Sequence, residues 1–268
     1  MAENPEKERP TGAARGADLA RALVAGEFFL VYQPVLDLSR GRFTGVEALM
    51  RWRHDGAVLA PAQFLDELEV SGLIGAVGRW ALATACNQGA EWHSRGYRLS
   101  VSVNVSARQV ASASFLDDVA VALGASRLTP PALILEIGVD DVTEVLAEQL
   151  RRVGELGVRV ALDNFDPDTD SLDAWARSGV GVLKLARDVV SRLHGARGAQ
   201  TALHELISQA DSLGLAVVAT GIEDAEQRRA LLGEHVVSGQ GFFFSQPREA
   251  LEIDDYLQGF SIFTGEPL

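Results

Sequence analysis

Residues 158–172 read VRVALDNFDPDTDSL, an apolar strand pattern that ends in a dense acidic loop. The apolar run stops at Asp163, and further aspartates follow at once. In proteins built on parallel strands, functional side chains lie where strands end, so a carboxylate here indicates a metal or phosphate site. A solvated turn gives the same pattern, and the rest of the chain is needed to decide between the two.

This strand is one of eight extended segments, at residues 29–38, 43–52, 99–106, 132–137, 159–163, 180–185 and 216–219, with a last one from 236. Helical patterns separate all but the first two, whose short turn at 39–41 predicts an antiparallel pair. The alternation predicts an α/β fold, a (β/α)8 TIM-like barrel with an antiparallel first strand. An open doubly wound sheet is the alternative, but no glycine-rich phosphate fingerprint follows the first strand.

The composition limits the classes of function. The net charge of −13 on 268 residues argues against binding nucleic acid or an acidic membrane nonspecifically. Residues 1–16 lack the apolar core of a secretory signal and are predicted to be a flexible tail, with the barrel domain at 17–268. The single cysteine, Cys86, forms no internal disulfide, which fits a cytoplasmic protein.

Polar residues follow or interrupt the apolar runs of the predicted strands. They are Glu47, Asn104, Glu136, Asp163, Asn164, Lys184, Thr220 and Gln240. At one barrel mouth, three carboxylates and an amide are oxygen ligands suited to Mg²⁺, Mn²⁺ or Ca²⁺. Lys184 adds a positive charge for a phosphate or an attacking water, and buried like charges favour a bound cation. Each position taken alone is also typical of a solvated loop entry.

The same residues carry a family resemblance. The matching pieces are YQP (32–34), EALMRW (47–52), SGLI (71–74), VNVS (103–106), LEI (135–137), ALD (161–163), KL (184–185), GIE (221–223) and QGF (240–242). In this order they resemble the EAL domain, a family that binds and hydrolyses cyclic di-GMP. The resemblance covers about residues 20–258 and implies a barrel whose second strand carries the name motif.

The resemblance also implies roles for individual residues. A first metal site for Mg²⁺ or Mn²⁺ would be held by Glu47, Asn104, Glu136 and Asp163. Catalytic positions would be Lys184 and Glu223, and ligand-binding positions Gln33, Leu49, Arg51 and Gln240. The Arg51 guanidinium suits either a phosphate oxygen or a guanine face. A surface arginine is the simpler alternative for that residue.

Several positions depart from the pattern of active family members. The fifth strand usually ends in Asp-Asp-Phe-Gly, and here residues 163–166 read DNFD. Asn164 therefore offers a neutral oxygen where the second metal expects a carboxylate, and Thr220 replaces a second acid. Val139 stands where a glutamate usually anchors the flexible loop, and Ala186 stands where a further acid is usual. The second metal site is therefore expected to be lost.

A two-metal hydrolase needs both ions to activate water and to stabilise the leaving oxygen. We therefore expect a degenerate EAL domain, without significant phosphodiesterase activity, that acts as a cyclic di-GMP-binding receptor or regulator. A nucleotide-independent regulator of an unidentified protein partner and a weak cyclic di-GMP-specific phosphodiesterase are the alternatives. The resemblance also implies a homodimer through the barrel helices beside the fifth-strand loop.

The acidic loop has a competing interpretation as a calcium site. Asp166, Asp168 and Asp170 alternate as in a calcium-binding loop, but the glycine and the later glutamate of that motif are absent. A solvated loop is the preferred interpretation.

Overall fold

The computed structural model describes residues 12–139, 144–167, 172, 175, 178–193 and 197–262. The strands are β1 (Phe28–Asp37), β2 (Arg42–His54), β3 (Ala57–Leu59), β4 (Ser100–Asn104), β5 (Leu133–Gly138), β6 (Arg159–Phe165), β7 (Val182–Leu185), β8 (Ala216–Ala219) and β9 (Ser238–Gly239). The helices are α1 (Gly12–Ala25), α2 (Leu65–Val70), α3 (Ile74–Ser94), α4 (Ala107–Val110), α5 (Phe115–Ser126), α6 (Glu144–Glu155), α7 (Arg187–Ser191), α8 (Arg197–Ser212), α9 (Ala225–Gly233) and α10 (Ala250–Ile262).

Eight strands close into a barrel, which confirms the predicted fold. Their order is β1-β9-β8-β7-β6-β5-β4-β2, and β1 pairs with β2 to complete the circle. The β1–β2 pair is antiparallel, as predicted, with Gln33 opposite Glu47. From β2 through β4 to β9 the neighbouring strands are parallel. The short β3, which the sequence pattern did not predict, extends β2 as a hairpin outside the barrel.

The main core lies between the barrel and its helices. Trp92 of α3 is fully buried there, and its indole N–H donates to Asp254 Oδ1 at 2.7 Å. A second apolar cluster lies on the side of the barrel near α1 and α2. In it, each pair of rings among Phe28, Trp52 and Phe64 has a centroid separation of 5.8 Å. These clusters fix the strand ends that carry the candidate site.

The structure gives the ends of several elements. Helix α1 begins at Gly12, inside the stretch predicted to be a tail, and its Leu19 is fully buried. Helix α9 ends at Gly233, and the left-handed conformation that follows it falls on His235, with φ of 62°. The last strand begins at Ser238 and not at residue 236. The helix that the sequence pattern predicts at residues 172–178 lies largely outside the described residues, and residues 1–11 lie wholly outside them.

Within the described ranges, no helix combines the length and the apolar character needed to cross a membrane.

Candidate functional site at the C-terminal mouth of the barrel

Lys184 lies at the centre of the candidate site. Its Nζ is 2.8 Å from Glu47 Oε2, 2.5 Å from Glu136 Oε2 and 3.5 Å from Asp163 Oδ1. The lysine and both glutamates are buried, while the Asp163 side chain is partly exposed toward the mouth. Strands β2, β5, β6 and β7 each contribute one of these residues because their side chains alternate into the barrel. We call these four residues the lysine cluster.

Glu47 is the most heavily hydrogen-bonded carboxylate of the lysine cluster. Asn104 Nδ2 donates to its Oε1 at 2.9 Å, and Gln240 Nε2 donates to its Oε2 at 2.6 Å. The structure thus brings together six of the residues selected from the sequence. The Oε1 atom of Gln240 is buried and has no hydrogen-bond partner within the described part of the chain.

The pKa values of the two buried glutamates shift in opposite directions, upward for Glu136 and downward for Glu47. Burial raises the pKa of Glu136, and the charge of Glu47 raises it further, although Lys184 acts in the other direction. Burial opposes ionisation of Glu47 as well, but the Lys184 charge and the three hydrogen bonds lower the pKa of that carboxyl. Burial disfavours the charged form of Lys184, yet Glu136, Glu47 and Asp163 raise its pKa. The ammonium therefore stays protonated beside an ionised Glu47.

The donor chemistry of this cluster fits a divalent cation. Three carboxylates face a single ammonium, so negative charge is in excess, and all the donors are oxygens of the kind that Mg²⁺ and Mn²⁺ prefer. As the side chains stand, however, no three His, Cys, Asp or Glu residues among those described could hold a metal ion together. Lys184 Nζ contacts all three carboxylates. An ion among them therefore requires this ammonium to move aside.

The two positions expected to hold a second metal have different environments. Asn164 is exposed and has φ of 63°, and it lies where the pairing of β6 with β7 shifts register between Leu162 and Phe165. Asparagine tolerates this left-handed conformation better than most residues, which gives a structural reason for its presence. Thr220 donates its hydroxyl to the carbonyl oxygen of Leu185 at 2.7 Å. Neither side chain supplies a negative charge.

Glu223 lies outside the lysine cluster. Its carboxylate pairs with Arg187, and both side chains are largely exposed. Gly221, with φ of 71°, leaves room for the Arg187 side chain, which an added Cβ would strike. Arg187 is not among the residues predicted from the sequence. A basic residue three positions after Lys184, at the start of α7, was the available signal.

The predicted ligand-binding residues lie on the first two strands. Arg51 is half-buried, and its only hydrogen bond among described residues goes to the carbonyl oxygen of Met50, at 2.7 Å. Burial lowers the Arg51 pKa, with partial compensation from Glu47. Leu49 is half-buried, and the buried Gln33 donates its amide to the Ser245 carbonyl at 2.5 Å. Arg51 therefore keeps guanidinium N–H groups that donate to none of the described residues, whereas the side-chain amide N–H of Gln33 already donates a hydrogen bond.

The acidic loop contributes one described aspartate. Asp166 pairs with Arg192, whose Nη2 lies 2.8 and 2.9 Å from the two carboxylate oxygens. This ion pair, which the sequence analysis missed, occupies the first position of the calcium-loop pattern. Asp168 and Asp170, the other two positions, lie outside the described residues.

Comparisons with known proteins agree on one family. A family model described as the EAL domain matches residues 17–247. Cyclic di-GMP phosphodiesterase NbdA of Pseudomonas aeruginosa is 32% identical over 259 residues, which cover 94% of this chain and 33% of that protein. Signaling protein YkoW of Bacillus subtilis is 30% identical over 243 residues, covering 89% of this chain and 30% of that protein.

A solved structure extends the similarity to three dimensions. The PaMucR phosphodiesterase in its c-di-GMP complex superposes with a TM-score of 0.84 at 31% identity, covering 90% of this chain and 99% of that one. The chain spans about a third of the length of these curated relatives. The comparisons therefore describe the barrel and not the whole of the longer proteins.

Proposed function

Because the chain belongs to the EAL domain family, we propose that it is a cyclic di-GMP-binding regulator with absent or very low phosphodiesterase activity. One observation carries this proposal. The lysine cluster is complete around Lys184, whereas the two positions next to it that should carry second-metal carboxylates are Asn164, at a left-handed bulge, and Thr220, bonded to a main-chain carbonyl.

Binding rests on groups that the mouth of the barrel retains. The Arg51 guanidinium has no ion pair among the described residues, and it lies four residues beyond Glu47 on the same strand. A planar guanidinium with free donors suits a phosphate oxygen or the face of a guanine. The solved PaMucR phosphodiesterase structure, at 31% identity, is itself a c-di-GMP complex. These observations support the same ligand class for this chain.

The proposed loss of hydrolysis follows from the missing negative charges at the second metal site. Glu47, Asn104, Glu136 and Asp163 would hold one divalent ion, whose chemistry when bound is to polarise a phosphoryl oxygen. Affinity for divalent ions depends on the number of charged ligands, so Asn164 and Thr220 weaken a second ion beside the first. The protein's own contribution is then to orient the nucleotide with Arg51 and to hold a proton on Lys184, close to the phosphate.

Turnover on purified protein tests the proposal. With Mn²⁺ or Mg²⁺ present, cyclic di-GMP should remain intact while it binds, and chromatography of the nucleotide would detect any linear product. The variant Asn164→Asp/Thr220→Glu restores both carboxylates and should raise the rate if the site lacks only these two groups. Hydrolysis by the unaltered chain at a rate of order 1 s⁻¹, ordinary for an enzyme, would contradict the proposal.

A further inference from the structure

A second concave site opens at the opposite end of the barrel. A cavity of about 500 Å³ is lined by residues at which parallel strands begin: Ser100, Arg159, Val182, Ala216 and Ser238. Asp37 also lines it, at the end of β1, which runs the other way. The cavity therefore lies at the N-terminal mouth, and the lysine cluster separates it from the mouth where Asp163 is exposed.

The cavity exists because small side chains occupy positions that face into the barrel. Branched apolar residues usually fill a barrel of this type in layers. Here Ser100 and Ser102 of β4 and the exposed Ala216 of β8 line the cavity beside branched residues such as Ile134 and Val182. The resulting volume falls within the range of small-molecule sites and is far larger than the roughly 30 Å³ share of one water molecule. The barrel thus encloses space that its own side chains do not fill.

The rim of the cavity is basic although the whole chain carries a charge of −13. Arg98 and Arg159 line it, and neither forms an ion pair with any carboxylate among the described residues. Among the described residues, Arg159 forms one hydrogen bond, in which its Nε donates to the Pro131 carbonyl at 3.0 Å. The acidic residue of the rim, Asp37, is already engaged by Ser39 and Arg40. Two guanidinium groups therefore face the entrance with free donors.

The inner end of the cavity carries an unsatisfied acceptor. Gln240 is more than nine-tenths buried and lines the cavity, and its Oε1 has no hydrogen-bond partner in the part of the chain that the structure describes. Ser102, which bears a hydroxyl, also lines the cavity. Buried polar atoms nearly always have hydrogen-bond partners, so this oxygen would accept a hydrogen bond from a donor group on the body of a ligand.

We propose that this cavity is a second ligand site, which takes a small organic anion. Arg98 and Arg159 bind its carboxylate or phosphate group, and its compact body lies among the serine, alanine and valine side chains of the barrel interior. Guanidinium forks match both oxyanions, which is why the two head groups share one site. Lys184 and Glu136, two members of the lysine cluster, also line this cavity.

Calorimetric titration of the full chain without nucleotide tests the site, with phenyl phosphate, benzoate, inorganic phosphate and benzyl alcohol as probes. Phenyl phosphate or benzoate should bind more tightly than benzyl alcohol, and the tighter of the two identifies the preferred head group. Inorganic phosphate binding as tightly as phenyl phosphate would contradict a role for the cavity interior. Absence of binding by both organic anions at about 5 mM, a level that detects millimolar affinity, would overturn the site.

Variants locate the binding. Arg98→Gln/Arg159→Gln should weaken the organic anion at least tenfold, about 1.4 kcal/mol. Ala216→Leu should occlude the entrance and abolish binding without touching either arginine. Arg229→Gln, an exposed arginine outside the cavity, and Arg51→Ala, at the other mouth, should leave the affinity unchanged. Equal affinity in the double arginine variant, or a loss caused by Arg51→Ala, would refute this location.

Discussion

Replacement of Lys184 by methionine should strongly destabilise the barrel. The substitution keeps most of the side-chain volume but removes the ammonium that lies 2.8 Å from Glu47 and 2.5 Å from Glu136. Breaking a buried ion pair by deleting one partner typically costs about 3–5 kcal/mol, because the remaining charge stays buried without compensation. We expect a loss of about 3 kcal/mol in the free energy of unfolding at pH 8, measured by urea denaturation.

In the same urea measurement at pH 5, the loss in free energy of unfolding caused by Lys184→Met should fall to about 1 kcal/mol. The pKa of Glu136 in the folded protein is already above its ordinary value of 4.5, and removal of Lys184 raises it further. A raised folded-state pKa gives stability that is present at low pH and lost as pH rises, so the cost of the substitution grows with pH. The double variant Lys184→Met/Glu136→Gln should recover part of the loss at pH 8.

The matched control is Arg21→Met, which removes an exposed ion pair with Asp18 at 3.3 Å. Such pairs contribute at most about 1 kcal/mol, and no comparable pH dependence is expected. If Lys184→Met cost no more than Arg21→Met at pH 8, or if its cost did not vary with pH, the described electrostatics of the lysine cluster would be wrong.

Three further predictions concern single residues. Asn164→Ala should cost about 1 kcal/mol in urea denaturation and Asn164→Gly nearly nothing, because φ is 63° there; equal costs would contradict this. Burial opposes ionisation of Asp37, but hydrogen bonds from Ser39 and Arg40 lower its pKa to about 2. Asp37→Ala should therefore lose about 1–2 kcal/mol at pH 6, with the difference from the unaltered chain vanishing as pH falls toward 2; a pH-independent difference would argue otherwise. Burial raises the pKa of the Cys86 thiol to about 12, so a thiol reagent should label it only on unfolding, and rapid labelling of folded protein would show that it is accessible.

Much of the barrel and of the candidate site could be predicted from the sequence for a definite physical reason. Parallel strands that alternate with helices place their carboxyl ends at one mouth, so Glu136, Asp163 and Lys184 had to converge once the strands were recognised. The antiparallel first pair followed from a turn too short for a crossover.

Other features depend on contacts that no local pattern contains. The pairing of Glu223 with Arg187 joins the segment after β8 to the start of α7, and the approach of Lys184 to Glu47 links residues 137 positions apart. The left-handed conformation of Asn164 arises from a register shift between two strands, so the sequence revealed the lost charge but not the bulge. The basic cavity at the N-terminal mouth also went unnoticed. Its signal was small residues, such as Ser100 and Ser102, at alternate positions of a buried strand.

The most direct test of the proposed function is a calorimetric titration of the purified chain with cyclic di-GMP, alongside the Arg51→Ala variant. We predict saturable binding by the unaltered chain, no heat of continuing turnover, and a loss of at least tenfold in affinity for the variant, about 1.4 kcal/mol. An absence of binding, or equal affinity in Arg51→Ala, would contradict the assignment of this barrel as a cyclic di-GMP receptor.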